Sequence, residues 1–298
     1  MSSTFHLQFA DIEFAARSES EVEIVEDHLL YREFVASAGV SEAAIHVPVG
    51  ITVGDPRPDS NWPQVFDSNE TWIAARDGRD LVIAFPSPTE PGRWWWSARL
   101  NIERPEVEII CDPEIREKRA GLTRIVNPLR YPLDQLMTMF LLAPRGGCIV
   151  HSAGLAVDGR GLAFVGRSGA GKTTLMSVIE EKPEHLRLSD DRVIFRLENG
   201  GARIYGTPWA GEGMVAANAH AGLEAIVFLH HGPKNRIESI TASDAARQLL
   251  PTTSIPWFDG EILSGCIETL DRIVERVPTY NLHFRPDRDV TTIIRSIL

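Results

Sequence analysis

Hydrophobic and polar positions along this chain follow two regimes that change near residue 125. Before it, short apolar alternations dominate. Phe5 to Phe14 alternates as a half-buried strand does, and Glu19 to Phe34 is an acidic stretch whose Val22, Val25, Leu29 and Leu30 fit strand or helix. Strand-type runs recur at Thr71-Trp72-Ile73-Ala74, Asp80-Leu81-Val82-Ile83-Ala84-Phe85 and Glu106-Val107-Glu108-Ile109-Ile110-Cys111, with Gly or Pro between them. Pro48, Pro56, Pro58 and Pro63, mixed with Asp, Ser and Asn, predict a surface loop. Residues 1–125 are therefore expected to form a small β-rich domain.

Between Asn127 and Pro144 the spacing changes. Leu129, Leu133, Leu136, Met137, Phe140 and Leu141 recur at three and four, which predicts a helix with Pro132 in its first turn, and Met137 and Met139 read as packing residues. Cys148 to Val157 then reads as a strand, Asp158-Gly159-Arg160-Gly161 as a tight turn, and Leu162 to Val165 as its antiparallel partner. A turn centred between Gly159 and Arg160 would set His151 opposite Ser168. A helix-compatible run, Thr174 to Ile179, follows and breaks at Pro183-Glu184. Leu186-Arg187-Leu188 leads into Ser189-Asp190-Asp191, then strands at Val193 to Leu197 and Ala202 to Tyr205 joined by an Asn199-Gly200 turn. Ala225 to Leu229 is a buried strand, and the remainder, through Ala245 to Leu250 and Val290 to Leu298, reads as helices packing on the sheet. Residues 126–298 thus predict an α/β domain, with α+β mixing of strand directions in one sheet.

Composition sets limits on partners. Hydrophobic residues are 43% and charged residues 24%, ordinary values for a globular protein. A net charge of −11 repels phosphate backbones and anionic membranes, so neither nucleic acid nor a membrane is an expected partner. Cys111, Cys148 and Cys266 are too scattered for a disulfide framework or a metal-ligand spacing, which points to the reducing cytoplasm. The first residues lack a basic region followed by an apolar segment, and no run reaches bilayer-spanning length.

Candidate chemistry concentrates in the second regime. Gly166-Arg167-Ser168-Gly169-Ala170-Gly171-Lys172-Thr173 reads G-x-x-x-x-G-K-[ST] between a strand and a helix, the context of a phosphate-binding P-loop. Glycines let backbone N–H groups converge on phosphate oxygens, so residues 166 to 173, with Thr174, are the candidate nucleotide-binding set. Lys172 would reach the β/γ-phosphates and the Thr173 hydroxyl would ligate Mg²⁺, making ATP and Mg²⁺ the expected cofactors. An apolar strand ending in Asp190-Asp191 supplies two carboxylates: one can manage the metal while the other takes a hydroxyl proton. Adjacent carboxylates raise each other's pKa unless a cation intervenes, a task for Mg²⁺ and Lys172.

Other features read more plainly. Gly206 to Gly213 is a glycine-rich loop suited to closing over a substrate, with Glu212 an open candidate for a metal or substrate contact. His230 and His231 would face opposite ways in a strand, which argues against a metal pair; Lys234 and Arg236 read as solvated charges or phosphate contacts. Trp94-Trp95-Trp96 would alternate faces and so is expected to pack rather than form one platform. Arg116-Glu117-Lys118-Arg119 reads as a solvated helix face or loop.

The combination of His151, the hairpin, Gly-x-Ser-Gly-x-Gly-Lys-Thr at 166 to 173, and Asp190-Asp191 resembles the catalytic core of HPr kinase/phosphorylase and HPr-kinase-related proteins. The resemblance implies His151 near the phosphates, Asp190 as base on a substrate serine and Asp191 managing Mg²⁺, so that the catalytic set is Asp190, His151 and Lys172, with Thr173 and Asp191 at the metal. It covers roughly 145 to 240, implies a homo-oligomer by analogy, and implies a kinase acting on a hydroxyl, most simply a serine of a small protein or peptide. ATP-dependent phosphoenolpyruvate carboxykinases share a similar core but are much longer, and their metal-binding Lys and His have no counterpart placed here. Gly206-Thr207-Pro208-Trp209-Ala210-Gly211-Glu212 stands where the family has an Arg-Gly-rich segment contacting its protein substrate, so the resemblance does not extend to HPr itself or to phosphorylase chemistry. A non-catalytic nucleotide-sensing module is the alternative from a different class.

Overall fold

The computed structural model describes residues 2–20, 22–26, 28–36, 43–69, 71–119, 122–179, 182–198, 200–287 and 289–298, and the chain divides into two compact units, Met1–Leu141 and Leu142–Leu298. In the first unit, β1 (Ser2–Phe9) and β2 (Ile12–Ser20) form a hairpin where one strand was expected over Phe5 to Phe14. The two-residue turn Ala10-Asp11 has φ of 51° and 57°, the left-handed pair that a tight hairpin requires, and contains no glycine to announce it. The acidic stretch resolves into β3 (Val22–Val25) and a 3-10 turn, Leu29–Phe34. After β4 (Val35–Ala36) comes β5 (Ile45–Val53), which contains Pro48. Pro48 was expected in a loop; its ring is tolerated because the β5 ladder with the strand Glu106–Cys111 begins only at Val49.

The unit continues through β6 (Gln64–Asp67), β7 (Ile73–Asp77), β8 (Asp80–Pro86), β9 (Trp94–Asn101), β10 (Glu106–Cys111), β11 (Arg116–Arg119) and β12 (Leu122–Val126). Among the described residues one sheet runs β4-β1-β2-β5-β10-β9-β8-β7-β6 and a smaller one β11-β12-β3. The charge run at 116–119 is therefore a strand at the end of the smaller sheet, among the described residues, rather than a helix face or loop. In the β8–β9 ladder Phe85 pairs with Trp96 and Pro86 with Trp94, leaving Trp95 as a bulge.

The helix α1 (Leu133–Leu142) follows, with Leu133, Met137, Phe140 and Leu141 buried. The second unit then builds β13 (Gly147–Val157), β14 (Arg160–Val165), α2 (Lys172–Val178), β15 (His185–Ser189), β16 (Arg192–Glu198) and β17 (Gly201–Tyr205). Asn199 of the expected Asn199-Gly200 turn lies outside the described residues. Next come β18 (His220–His231), β19 (Arg236–Ser239), α3 (Ala242–Leu249), β20 (Thr253–Ser254), α4 (Gly260–Arg276), β21 (Thr279–Phe284) and α5 (Asp289–Arg295).

Strand directions are mixed: β13 pairs antiparallel with β14 and β16, whereas β14 and β21 run parallel to β18. With β16–β17 and β17–β18 also paired, the ladders close a ring in which β14 is held on both sides. Leu175, Met176 and Ile179 bury against Phe164, Val227 and Phe284, each such side chain stabilising the unit by about 1.5–3 kcal/mol relative to exposure. That packing seats α2 over the sheet and fixes where the preceding loop emerges. No described helix is long and apolar enough to cross a membrane.

Candidate functional site

The glycine-rich loop leaves β14 at Val165 and enters α2 at Lys172. Gly171 has φ of 95°, and a Cβ there would lie 2.7 Å from Phe284 Cζ, so both conformation and space demand glycine. The Ala170 amide donates to the Arg167 carbonyl at 3.0 Å and the Leu175 amide to the Gly171 carbonyl at 2.7 Å. Arg167, Ser168, Gly169, Thr173 and Thr174 are exposed, whereas Lys172 is buried. Its Nζ donates to the Gly166 carbonyl at 2.8 Å and lies 2.9 Å from His151 Nε2.

His151 arrives from the hairpin, with a correction to its register. The turn is Asp158-Gly159, φ 51° and 76°, and Ser152 pairs with Val165, so the next position sets His151 against Gly166 rather than Ser168. Moving the turn centre by one residue shifts the pairing by two, which leaves every side chain on its expected face.

The two carboxylates diverge. Asp190, 4% exposed, accepts the Gly211 amide on Oδ1 at 2.8 Å and the Gly213 amide on Oδ2 at 2.6 Å. A Cβ on Gly213 would stand 2.6 Å from Asp190 Oδ2, so any side chain there would have to displace the carboxylate. Asp191 faces the other way, with Oδ1 2.8 Å from His151 Nε2 and Oδ2 3.6 Å from Arg192 Nε. The Asp191 and Arg192 amides both donate to Ser189 Oγ, at 3.3 and 3.2 Å, which shapes the turn that separates the pair.

One imidazole nitrogen therefore sits between an ammonium and a carboxylate. When Nε2 carries a proton it donates to Asp191; when it does not, it accepts from Lys172. Burial pushes the Lys172 pKa down, against the pull of Asp191. Burial pushes Asp191 up, but the His151 hydrogen bond and the His151, Arg192 and Lys172 charges outweigh it and hold the carboxyl below its ordinary value.

Of the candidates, then, His151, Lys172 and Asp191 meet at Gly166, while Asp190 is turned toward Gly211 and Gly213. The loop expected to close over a substrate is partly committed: Thr207, Pro208 and Trp209 are buried, and Thr207 Oγ1 donates to the Arg192 carbonyl at 2.7 Å. Glu212 and Lys234 are exposed, and Arg236 pairs with Glu238 at 2.5 Å. His231 was not foreseen at the site. Its Nε2 donates to the Gly169 carbonyl at 2.8 Å, and its ring stacks on Phe284. The signal lay in the parallel register: Val165 sits beside Phe228, so three residues further on His231 comes beside Ser168. His230 faces away, against His283 and Asn281.

Among the described residues no group of three or more His, Cys, Asp or Glu side chains is arranged to hold a metal. Mg²⁺ does not require one, since it takes one or two protein oxygens and completes its octahedron with phosphate and water. The exposed Thr173 hydroxyl and the ionised Asp191 carboxylate are hard oxygen donors of that kind and fit such an ion.

No protein-family model and no curated protein sequence matches this chain. Among solved structures, the HPr(Ser) kinase/phosphatase from Coxiella burnetii is similar at 15% identity with a TM-score of 0.29, over 50% of this chain and 87% of that one. A likeness that slight assigns no family.

Proposed function

We propose that this chain is an ATP- and Mg²⁺-dependent phosphotransferase that moves the γ-phosphoryl group to a hydroxyl. The observation that carries the reading is the meeting of Lys172, His151 and Asp191 where a G-x-x-x-x-G-K-T loop leaves a strand held on both sides. Residues 166 to 174 would take the nucleotide phosphates, with Lys172 exchanging the Gly166 carbonyl for phosphate oxygens. Thr173 and Asp191 would hold Mg²⁺, which supplies charge neutralisation at the phosphates. Because phosphoryl transfer passes through a loose transition state, positioning and electrostatics account for most of the acceleration. The acceptor, a serine of a small protein or peptide, follows from the sequence resemblance over 145 to 240.

Two groups compete for the hydroxyl proton. Asp190 is the base that the resemblance implies, and its two amide bonds would orient it while leaving further lone pairs. The 4% exposure of Asp190 favours a second assignment, in which Asp190 fastens the Gly211–Gly213 segment and the His151 imidazole, oriented by the metal-holding Asp191, takes the proton.

Incubation with γ-labelled ATP, Mg²⁺ and serine-bearing peptides should give labelled acceptor, and Lys172→Ala should abolish it. ATP binding without transfer to peptide or water would instead identify a nucleotide-sensing module and end the kinase reading.

A further inference from the structure

A cavity of about 510 Å³ in the N-terminal unit belongs to none of this chemistry. Its apolar wall is formed by Trp95, Trp96 and Tyr131 with Ile115, Val126 and Pro128. Strict alternation would send Trp95 and Trp96 to opposite faces of β9. The bulge at Trp95 breaks that alternation, so both rings line the same space, their centroids 5.7 Å apart at 34°. Trp96 is braced from behind by Phe85, ring centroids 5.5 Å apart, while Tyr131 is 59% exposed at the opening.

The polar wall is fixed and negative. Arg93 donates to Asp112 through Nε and Nη2 at 3.1 and 2.5 Å, and through Nη1 to Glu90 at 3.0 Å and Glu114 at 2.6 Å. Three carboxylates around one guanidinium leave a surplus of negative charge, and all four side chains line the cavity. Arg130, also at the wall, does not offset the surplus, because Glu26 matches it at 2.7 and 3.2 Å. Aromatic faces attract cations through their quadrupole, and an acidic rim adds to that attraction. The size suits a small organic ligand or one peptide side chain.

We propose that this cavity binds an organic cation, an alkylammonium or guanidinium group, with its body against Trp95, Trp96 and Tyr131 and its charge toward Glu90 and Glu114. The ligand chemistry is shared by a free amine and by the basic side chain of a peptide. The site stands on its own geometry and rests on nothing in the phosphotransfer reading.

Calorimetric titration of the full chain with choline, with its neutral isostere 3,3-dimethylbutan-1-ol, and with a capped Gly-Arg-Gly peptide tests it. Choline should saturate at millimolar concentration or below, and the isostere should bind at least about tenfold more weakly. A peptide that binds more tightly than choline marks a peptide source, and the reverse order marks a free amine; both accord with the site. Tyr131→Ala, at an exposed position, should lower choline affinity about fivefold or more with an unchanged melting temperature, and Glu114→Gln about threefold. The proposal is overturned by no saturation up to about 10 mM, by equal binding of the isostere, or by a folded Tyr131→Ala protein that retains full affinity.

Discussion

Arg93 in the first unit and Lys172 in the second each place one cation among carboxylates, and the two are built in opposite ways. Arg93 commits all three nitrogens to Asp112, Glu90 and Glu114, and those bonds push its pKa up, Asp112 foremost. Lys172 has a backbone carbonyl and one ring nitrogen that Asp191 also claims, and burial pushes its pKa down. A planar fork with all three nitrogens engaged is a wall; an ammonium with a contested partner can trade it for phosphate at little cost. The distribution of satisfied bonds, more than the count of charges, separates scaffold from site.

The largest effect expected of any substitution tests the site side of that contrast. Asp190→Asn should reduce turnover about 10²–10⁴-fold with nucleotide affinity retained if Asp190 takes the proton. A variant that keeps its turnover but needs more acceptor would give Asp190 the loop-fastening role, and Asp191→Asn should then carry the larger loss. Next in size, Lys172→Met should weaken ATP binding by about tenfold to a hundredfold in a calorimetric titration. The same change should not lower the melting temperature. A lysine whose folded pKa is depressed costs stability wherever the unfolded chain is still protonated, and that cost is complete below the folded pKa and disappears above about 10.4. Arg93→Met should do the reverse, lowering the melting temperature while leaving ATP affinity alone; equal destabilisation by both substitutions would erase the distinction.

Smaller effects refine it. Gly171→Ala meets both a left-handed φ and Phe284, and should destabilise by about 1–3 kcal/mol, whereas Gly78→Ala, at φ of 60° with nothing within 4 Å of the new Cβ, should cost about 1 kcal/mol or less. Denaturant titration of the two variants decides. The smallest effect concerns the thiols. Burial pushes Cys111 up to about 12 and Cys266 up to about 11, so neither should react with iodoacetamide at pH 8 until the chain unfolds. Being raised, these groups favour the fold below the unfolded thiol value of about 8.5 and lose that contribution as pH climbs through 11 to 12. Rapid labelling of native protein would contradict their burial.

What the sequence disclosed depended on whether local signals were unambiguous. Glu106 to Cys111 alternates cleanly and is a strand over that whole span, and the Cys148 to Val165 hairpin announced itself with Asp-Gly. The Ala10-Asp11 turn did not, because it has no glycine and places an alanine at positive φ. Side-chain alternation misled at Trp95, since a bulge leaves no mark on composition. Within the candidate site, strand ends and turn chemistry made His151, Lys172 and the Asp190-Asp191 pair readable as candidates, though not which carboxylate meets His151. The capping of Asp190 by Gly211 and Gly213 was not, because amide donors are supplied by every residue and no side-chain pattern points to them.

The Asp158-Gly159 turn has a practical consequence. It stands at the end of the hairpin away from Gly166; Asp158, Gly159 and Arg160 are exposed, and a Cβ built on Gly159 meets nothing within 4 Å. Exposed hairpin tips accept inserted sequence because they add few buried contacts to disturb. A short tag or fluorophore-bearing insert spliced there would give surface tethering and single-molecule measurements an attachment point remote from Gly166, on the strand pair that carries His151.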